Sequence, residues 1–148
     1  MYHRIVVPLD GSARAEKILP YVEDLALQYS SEVRLLQVVE PIIEVDPTDT
    51  FVPKGGKFTA EIKSAQTYVD SIATRMSEKG ISAKSWALGG NVVDTICQVA
   101  EQEKADLIAI ASHGRTGAAR VFYGSVAVGI LHRIDRPLLV IRSQENQD

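Results

Sequence analysis

Cysteine is almost absent from this chain: Cys97 is the single one among 148 residues. One cysteine excludes an internal disulfide framework and any metal site built from several thiolates, and it is typical of proteins from a reducing compartment. Cys97 falls inside a predicted helix, and no candidate base is readable beside it. We therefore interpret it as a packed thiol rather than a nucleophile.

Long hydrophobic runs and blocks of like charge are absent as well. No run approaches the roughly 18 apolar residues of a membrane-spanning helix, and the apolar stretch near the N-terminus is too short for a signal peptide. The net charge is −3, from 16 basic and 19 acidic residues, which disfavours nucleic acid and anionic membranes as partners. We expect a soluble cytoplasmic protein that binds neither nucleic acid nor membrane.

The amino-acid composition is that of a globular domain. Hydrophobic residues make up 45% and charged residues 24%, close to the averages for globular proteins, so the chain is neither disordered nor fibrous. A domain of this length buries roughly 68–70% of its unfolded surface, enough for a core without a disulfide or a metal. We predict one domain over residues 1–148.

Short apolar runs predict the strands of a sheet. Four of the runs are continuous rather than alternating, as in parallel strands that helices cover on both faces. A fifth run is weaker because its polarity is mixed. The predicted strands are RIVVPL at 4–9, VRLLQVV at 33–39, the weaker SAKSWAL at 82–88, ADLIAIA at 105–111 and PLLVIR at 137–142.

Apolar residues spaced three and four apart predict helices between these strands. Asn91, with Asp94 three residues later, is the expected N-cap of the third helix, and Gly80 is the expected C-cap of the second. The predicted helices cover residues 13–29, 58–79, 92–103 and 125–134. This alternation predicts a doubly wound, Rossmann-like α/β fold, a five-stranded parallel sheet with helices on both faces.

The stretch 40–57 interrupts the alternation. It has three prolines, two glycines and no periodicity, and we predict a mobile loop or lid there. Its segment PKGGK at 53–57 lacks the spacing of a phosphate-binding P-loop and does not follow a predicted strand. We interpret this segment as a flexible linker.

Two loops follow predicted strands at the end of the sheet where ligands bind, outside the carboxyl ends and at the point where strand order reverses. PLDGS at 8–12 follows the first strand, and ASHGRTGAARVFYGSVA at 111–127 follows the fourth. The second loop leads into a helix, whose first N–H groups are unpaired and favour an anion such as phosphate. An equally weighted alternative is that Gly114 and Gly117 only allow turns and Ser125 only caps the helix.

Single residues near these loops carry less information. His113 has no readable partner, and we interpret it as an uncharged loop histidine rather than a base or a phosphate donor. Arg115 and Arg120 either contact phosphate oxygens or lie on the solvated surface, with neither favoured. Trp86 is expected in the core or at an interface. P-loop, kinase and Ser-His-acid signatures are missing, which favours binding over catalysis.

The segment 111–127 resembles the universal stress protein family, and the resemblance extends over nearly the whole chain. It is also carried by IVVPLDGS at 5–12, LLQVV at 35–39 and RPLLVIR at 136–142. Nucleotide-binding members have the pattern Gly, two residues, Gly, nine residues, Gly and then Ser or Thr. In this chain that register falls on Ala111, Gly114, Gly124 and Ser125. Alanine in the first position is costly if the backbone there needs a positive φ and only a modest intrusion if it is extended.

The resemblance implies a site for ATP or another adenine nucleotide, with a divalent ion such as Mg²⁺. It implies that Asp10 contacts the ribose or the edge of the adenine, that the adenine is lined by Pro8 and Val38, and that segments 112–115 and 124–126 hold the phosphates. The residues assigned to the nucleotide on this basis are Pro8, Leu9, Asp10, Val38, Ala111, Ser112, His113, Gly114, Arg115, Gly124, Ser125 and Val126.

The resemblance also implies a homodimer that pairs the C-terminal strand 137–142 with its copy across a two-fold axis. The leading hypothesis is a nucleotide-binding regulatory protein of the stress response with little or no turnover. The alternatives are a slow ATPase or nucleotide-dependent enzyme, and a dimeric interaction module whose pocket is vestigial because of Ala111.

Overall fold

Strands and helices alternate along the part of the chain that the structure, a computed structural model, describes: residues 1–41, 43–45, 51–53, 55–113 and 124–143. None of the helices in these ranges is long and apolar enough to cross a membrane. The elements in chain order are β1 (Arg4–Leu9), a short 3₁₀ helix (Ala15–Ile18), α1 (Leu19–Tyr29), β2 (Glu32–Val39), β3 (Ile43–Val45), β4 (Phe51–Pro53), α2 (Gly55–Glu78), β5 (Ser82–Gly89), α3 (Val92–Gln102), β6 (Leu107–His113), α4 (Ser125–Leu131) and β7 (Leu138–Ser143).

The main sheet has five strands in the order β5-β2-β1-β6-β7, and every pairing in it is parallel. Ile5 of β1 pairs with Val33 of β2 on one side and with Leu107 of β6 on the other. From β1 the chain builds the sheet first toward β5 and then, starting again at β6, toward β7. The predicted doubly wound α/β fold is confirmed, and its strand order reverses between β1 and β6.

The core has two layers, one on each face of the sheet. Ile5 and Val7 of β1 pack beneath α1 and α2, whereas Val6 packs beneath α3 and α4. Both faces are therefore apolar, which is why the strands read as continuous runs, and each fully buried Val or Ile contributes roughly 1.5–3 kcal/mol. The largest fully buried side chains include Ile5, Ile18, Leu35, Leu36, Ile72, Met76, Ile96, Ile108 and Ile130.

Two predicted helix caps are present. The Asn91 side chain accepts a hydrogen bond from the backbone N–H of Asp94 at 3.0 Å, so it caps α3. Gly80 follows α2 with a φ of +84°, a conformation that favours glycine. The predicted helix over 13–29 is different at its start, because Ser12 Oγ accepts from the N–H of Ala15 and opens a 3₁₀ turn before α1.

The stretch 40–57, which we predicted as a mobile loop or lid, contains regular secondary structure at 43–45, 51–53 and 55–57. β3 and β4 form an antiparallel pair, with Ile43 opposite Pro53, and α2 begins at Gly55. Proline is tolerated at the end of a two-stranded ribbon because its missing N–H interrupts few ladder bonds. Of the segment PKGGK, interpreted as a flexible linker, Pro53 is the end of β4 and residues 55–57 are in the first turn of α2. Residues 42, 46–50 and 54 lie outside the described ranges.

Two further boundaries differ from the prediction. β6 covers 107–113 rather than 105–111, because pairing with β7 continues through Ser112 and His113. The helix predicted over 125–134 ends at Leu131. The extension of β6 arises from long-range pairing, which local periodicity does not report.

Candidate functional site

A cavity of about 150 Å³ lies at the carboxyl ends of β1 and β6, where the strand order reverses. Its interior is apolar, with polar groups of Asp10, Ser112 and Gly124 among the lining. The lining residues are Pro8, Leu9, Asp10, Ala15, Val38, Val92, Ile96, Ile110, Ala111, Ser112, Gly124, Val126 and Ala127. The position agrees with the rule that open parallel sheets bind ligands at the point of reversal.

The structure brings most of the residues assigned to a nucleotide together around this cavity. Ser125, the first residue of α4, is exposed next to the lining residue Gly124. His113 is the last residue of β6, and its backbone pairs with Ser143 of β7. The predicted residues that line the cavity are Pro8, Leu9, Asp10, Val38, Ala111, Ser112, Gly124 and Val126. The predicted residues outside the described ranges are Gly114, Gly117, Arg115 and Arg120.

Sequence reasoning missed the part of the wall that α3 supplies. Val92 and Ile96 lie one turn apart at the start of α3 and both line the cavity. Their spacing of four residues predicts only the buried face of a helix, since core and cavity walls have the same apolar periodicity. The available signal was the position of this turn, directly after the carboxyl end of β5. The remaining lining residues outside the prediction are Ala15, Ile110 and Ala127.

The loop after β1 orients the Asp10 carboxylate. Asp10 Oδ1 accepts a hydrogen bond from the backbone N–H of Ser12 at 2.8 Å, and Gly11 between them has a φ of +84°. This is an Asx turn, which Asp and Asn form readily, and glycine adopts the positive φ without strain. The turn holds an exposed carboxylate at the edge of an otherwise apolar cavity.

The start of α4 presents backbone donors on the other side of the cavity. Gly124 has a φ of 72° and a ψ of 136°, and its C=O accepts from the N–H of Val128 at 3.1 Å. The N-cap residue Gly124 has no side chain to cap this end of the helix, and the first N–H groups of a helix have no partner within it. Since Gly124, Val126 and Ala127 all line the cavity, these polar groups lie at its border.

Ala111 has an extended backbone. It is a residue of β6 and pairs with Ile141 of β7, and the only non-glycine residues with a positive φ in the described ranges are Ser30 and Lys104. Of the two cases considered for the first signature position, the extended one therefore applies. The alanine causes no backbone strain and adds one methyl group to the cavity wall.

The Cys97 thiol lies outside the cavity lining, and Asp10 is the carboxylate at the cavity border. Burial raises the pKa of the Cys97 thiol, which agrees with a packed thiol, and Cys97 is not a lining residue of the cavity. No group of three or more His, Cys, Asp or Glu in the described ranges is arranged to hold a metal ion. Mg²⁺ at phosphates needs only one or two protein carboxylates, and Asp10 at the cavity border is suited to that part.

The family model and the related proteins that match this chain all belong to one family. The family model described as Universal stress protein family matches residues 1–142. Universal stress protein MJ0577 of Methanocaldococcus jannaschii is 27% identical to this chain over 160 residues, covering 99% of this chain and 98% of that protein. Universal stress protein YxiE of Bacillus subtilis is 25% identical, with 96% of this chain and all of that protein covered.

Solved structures share the fold. The structure of MJ0577 has a TM-score of 0.76 at 26% identity and covers 99% of both chains. A universal stress protein in complex with cAMP has a TM-score of 0.69 at 18% identity, covering 97% of this chain and 98% of that one. The universal stress protein from Archaeoglobus fulgidus in complex with dAMP has a TM-score of 0.65 at 21% identity, with coverages of 95% and 98%. At 18% and 21% identity, these two likenesses concern the fold.

Proposed function

This chain belongs to the universal stress protein family, and from that membership we propose that it binds an adenine nucleotide in the cavity between β1 and β6. The observation that carries the proposal is the cavity itself, which combines an apolar interior with polar groups at the switch point of the sheet. An apolar cavity of about 150 Å³ admits a benzene-sized ring. The space therefore suits the flat base of a nucleotide, with the sugar and phosphates outside it.

Each part of the nucleotide has a matching part of the site in this proposal. The base lies against the apolar side chains of Val38, Ile96 and Val126. Asp10, held by its Asx turn, accepts hydrogen bonds from the ribose hydroxyls. The phosphates lie toward Gly124 and Ser125, where backbone N–H groups at the start of α4 favour an anion.

Adenine is the base we propose because two proteins of the same fold were solved with cAMP and dAMP. These ligands share adenine and differ in sugar and phosphate. For this chain we propose ATP with Mg²⁺ as the ligand, and Asp10 is the described residue that would hold the ion. Bound Mg²⁺ would supply charge neutralisation of the phosphates.

Binding with little turnover is the role we propose for the site. Among the described lining residues, Asp10 is the one with a titratable side chain. Hydrolysis by general acid–base catalysis needs a positioned base and a group that stabilises the leaving phosphate. A single exposed carboxylate at the border of an apolar cavity fits recognition better than catalysis.

The experiment is a search for bound nucleotide followed by titration. The purified protein is heat-denatured and the supernatant is analysed by mass spectrometry for adenine nucleotides. Calorimetric titrations with ATP, AMP and GTP, each with and without magnesium, then measure affinity. We expect binding of ATP and not of GTP, and phosphate release at the background rate. Absence of adenine nucleotide from the supernatant together with no calorimetric binding of ATP would contradict the proposal.

A homodimer through β7 is the second part of the proposal. Among the described residues, β7 is at one edge of the sheet, so its outer N–H and C=O groups can pair with another strand. Val140 of β7 is 37% exposed, and Leu131 of α4, the helix that precedes β7 in the chain, is 64% exposed. Pairing with the β7 of a second copy across a two-fold axis would satisfy the backbone groups and cover these side chains.

A further inference from the structure

β5 is the other edge of the sheet, since it pairs with β2 and with no other strand in the described ranges. The N–H of Gly90 donates to the C=O of Val39 in β2 at 3.0 Å. Alternate residues of a strand direct both backbone groups to the same side, so Ser85 and Ala87 direct theirs away from β2. Outward backbone groups of this kind are a template for pairing with another chain.

The side-chain amide of Gln66 binds these outward groups in the middle of β5. Its Oε1 accepts from the N–H of Ala87 at 2.9 Å, and its Nε2 donates to the C=O of Ser85 at 3.3 Å. A neighbouring strand would offer β5 the same pair, one acceptor and one donor. A single side chain therefore occupies the place of a sixth strand at this step of the ladder.

Asp70 holds the amide in this orientation. Asp70 Oδ1 accepts from Gln66 Nε2 at 2.8 Å and from Ser85 Oγ at 2.6 Å. Gln66 and Asp70 lie one turn apart on α2, next to Ala65 and Val69, which are buried against the sheet. Packing of the apolar face of α2 thus brings its polar flank over the edge of β5 and adds an exposed carboxylate there.

The opposite edge has no such cover in the part of the chain that the structure describes. No hydrogen bond joins a side chain to the backbone of Leu138–Ser143 there, and Val140 is exposed. We propose that Gln66, oriented by Asp70, blocks the β5 edge, so that strand pairing between copies of this chain is confined to β7. The block is supported by the pair of hydrogen bonds that Gln66 makes with β5. Its effect on assembly depends on the proposed pairing through β7.

Blocking one edge of the sheet limits the number of copies that can assemble through strand pairing. A chain with two open edges pairs β7 with β7 and β5 with β5 in alternation, and such contacts continue without closing. A chain with one open edge stops at two copies. In this proposal the Gln66 amide prevents a second copy of the chain from pairing with β5.

The test compares Gln66→Ala with Gln66→Lys and with the control Gln28→Ala, a change at an exposed glutamine of α1. Sedimentation velocity is measured over a wide range of protein concentration. We expect Gln66→Ala to form species larger than the wild type as concentration rises. Gln66→Lys loses both hydrogen bonds but puts a charge on the edge, which prevents pairing, so it should sediment like the wild type and like Gln28→Ala.

Two results would overturn the block. One is a Gln66→Ala protein that sediments like the wild type at every concentration. The other is equal self-association of Gln66→Ala and Gln66→Lys, which would indicate a general loss of stability instead. Amide exchange of Ala87 in dilute Gln66→Lys gives an independent readout, since the proposal requires it to become several-fold faster than in the wild type.

Combination with Val140→Lys separates this proposal from the dimer. If β7 pairing occurs, Val140→Lys alone is monomeric, and addition of Gln66→Ala gives dimers through β5 that grow no further. If the wild type is already monomeric, the proposed β7 dimer fails, and Gln66→Ala should still produce a dimer. A double variant that remains monomeric at all concentrations contradicts the edge block in either case.

Discussion

Ala111 shows how one backbone conformation changes the meaning of a substitution. The family signature expects glycine at this position, and glycine often stands where φ is positive. In this chain Ala111 is extended and paired with Ile141, so the alanine costs no strain. What remains is a methyl group on the cavity wall, whose effect depends on how closely the ligand approaches the strand.

We expect Ala111→Gly to strengthen ATP binding and to weaken the fold. Removal of the methyl group allows closer approach of phosphates to β6, whereas glycine in a strand lowers the free energy of unfolding by roughly 0.5–1 kcal/mol. Calorimetry with ATP and urea unfolding measure the two effects. Affinity for adenosine, which has no phosphate, distinguishes a gain at the phosphates from a gain at the base in the cavity. A weaker affinity for ATP in the variant would show that the methyl group contributes contact rather than hindrance.

Glu32 joins an ion-pair network at the amino ends of the strands, opposite the cavity. Its Oε2 accepts from Arg4 Nε at 3.1 Å and from Arg34 Nη2 at 2.7 Å, and Arg34 is only 3% exposed. Arg34 Nε also donates to Glu103 at 2.9 Å, which connects β2 with the end of α3. The hydrogen bond from Arg4, followed by that from Arg34, holds the pKa of Glu32 below its ordinary value of 4.5.

The lowered pKa of Glu32 predicts an acid-dependent loss of stability. The folded chain releases this proton at a lower pH than the unfolded chain, so the interaction stabilises the fold fully above about pH 4.5 and is lost as pH falls through the folded pKa. Glu32→Gln should flatten the decrease in unfolding free energy below pH 4.5. The effect is small because the carboxylate is partly exposed. Glu78→Gln, an exposed control on α2, should keep the wild-type slope.

At the scale of elements, how well a strand could be predicted depended on how far along the chain its stabilising partners lie. The apolar runs of β1, β2 and β6 indicated buried parallel strands because both faces of each strand are covered by core. The strands Ile43–Val45 and Phe51–Pro53 are too short to show a period and are stabilised by pairing with each other. The same limit applies to the site: residues directly after strands, such as Asp10, were predictable, whereas the α3 wall was hidden within an ordinary amphipathic pattern.

The N-cap of α3 connects helix stability with the cavity. Asn91→Ala removes the hydrogen bond to the N–H of Asp94 and should lower the free energy of unfolding by about 0.5–2 kcal/mol. Because Val92 and Ile96 of the next turn line the cavity, fraying at this end should also weaken nucleotide binding. Urea unfolding and calorimetry measure both effects, and Asn91→Asp should restore them. Unchanged affinity in a destabilised Asn91→Ala protein would separate the cap from the site.

On the scale of the whole molecule, the ends and edges of the sheet differ. The carboxyl end holds the cavity and the amino end holds the Arg34 network. One edge, β5, is bound by the Gln66 amide, and the other, β7, exposes Val140. The chain's alternation of elements predicted a doubly wound parallel sheet, but not the order β5-β2-β1-β6-β7. The edge contacts were not predictable either, because they depend on which turn of α2 reaches the end of the sheet.

The open edge predicts a dimer that a single charge disrupts. Val140→Lys places two lysines close to the two-fold axis and removes apolar contact, so we expect the dimer dissociation constant to rise tenfold or more, equivalent to about 1.4 kcal/mol for each factor of ten. Sedimentation equilibrium measures it. Leu27→Lys, a change at an exposed apolar residue of α1, is the control and should dimerise like the wild type. Equal dissociation constants for the two variants would exclude β7 as the interface.

The short helix α4 has a part in both proposed contacts. Its residues Val126 and Ala127 line the cavity, whereas Val128 and Leu131 are exposed. Seven residues span only about 10 Å, so the two faces move as one body. If both contacts form, thermodynamic linkage requires reciprocity: whatever factor the nucleotide applies to the dimer affinity, dimerisation applies to the nucleotide affinity.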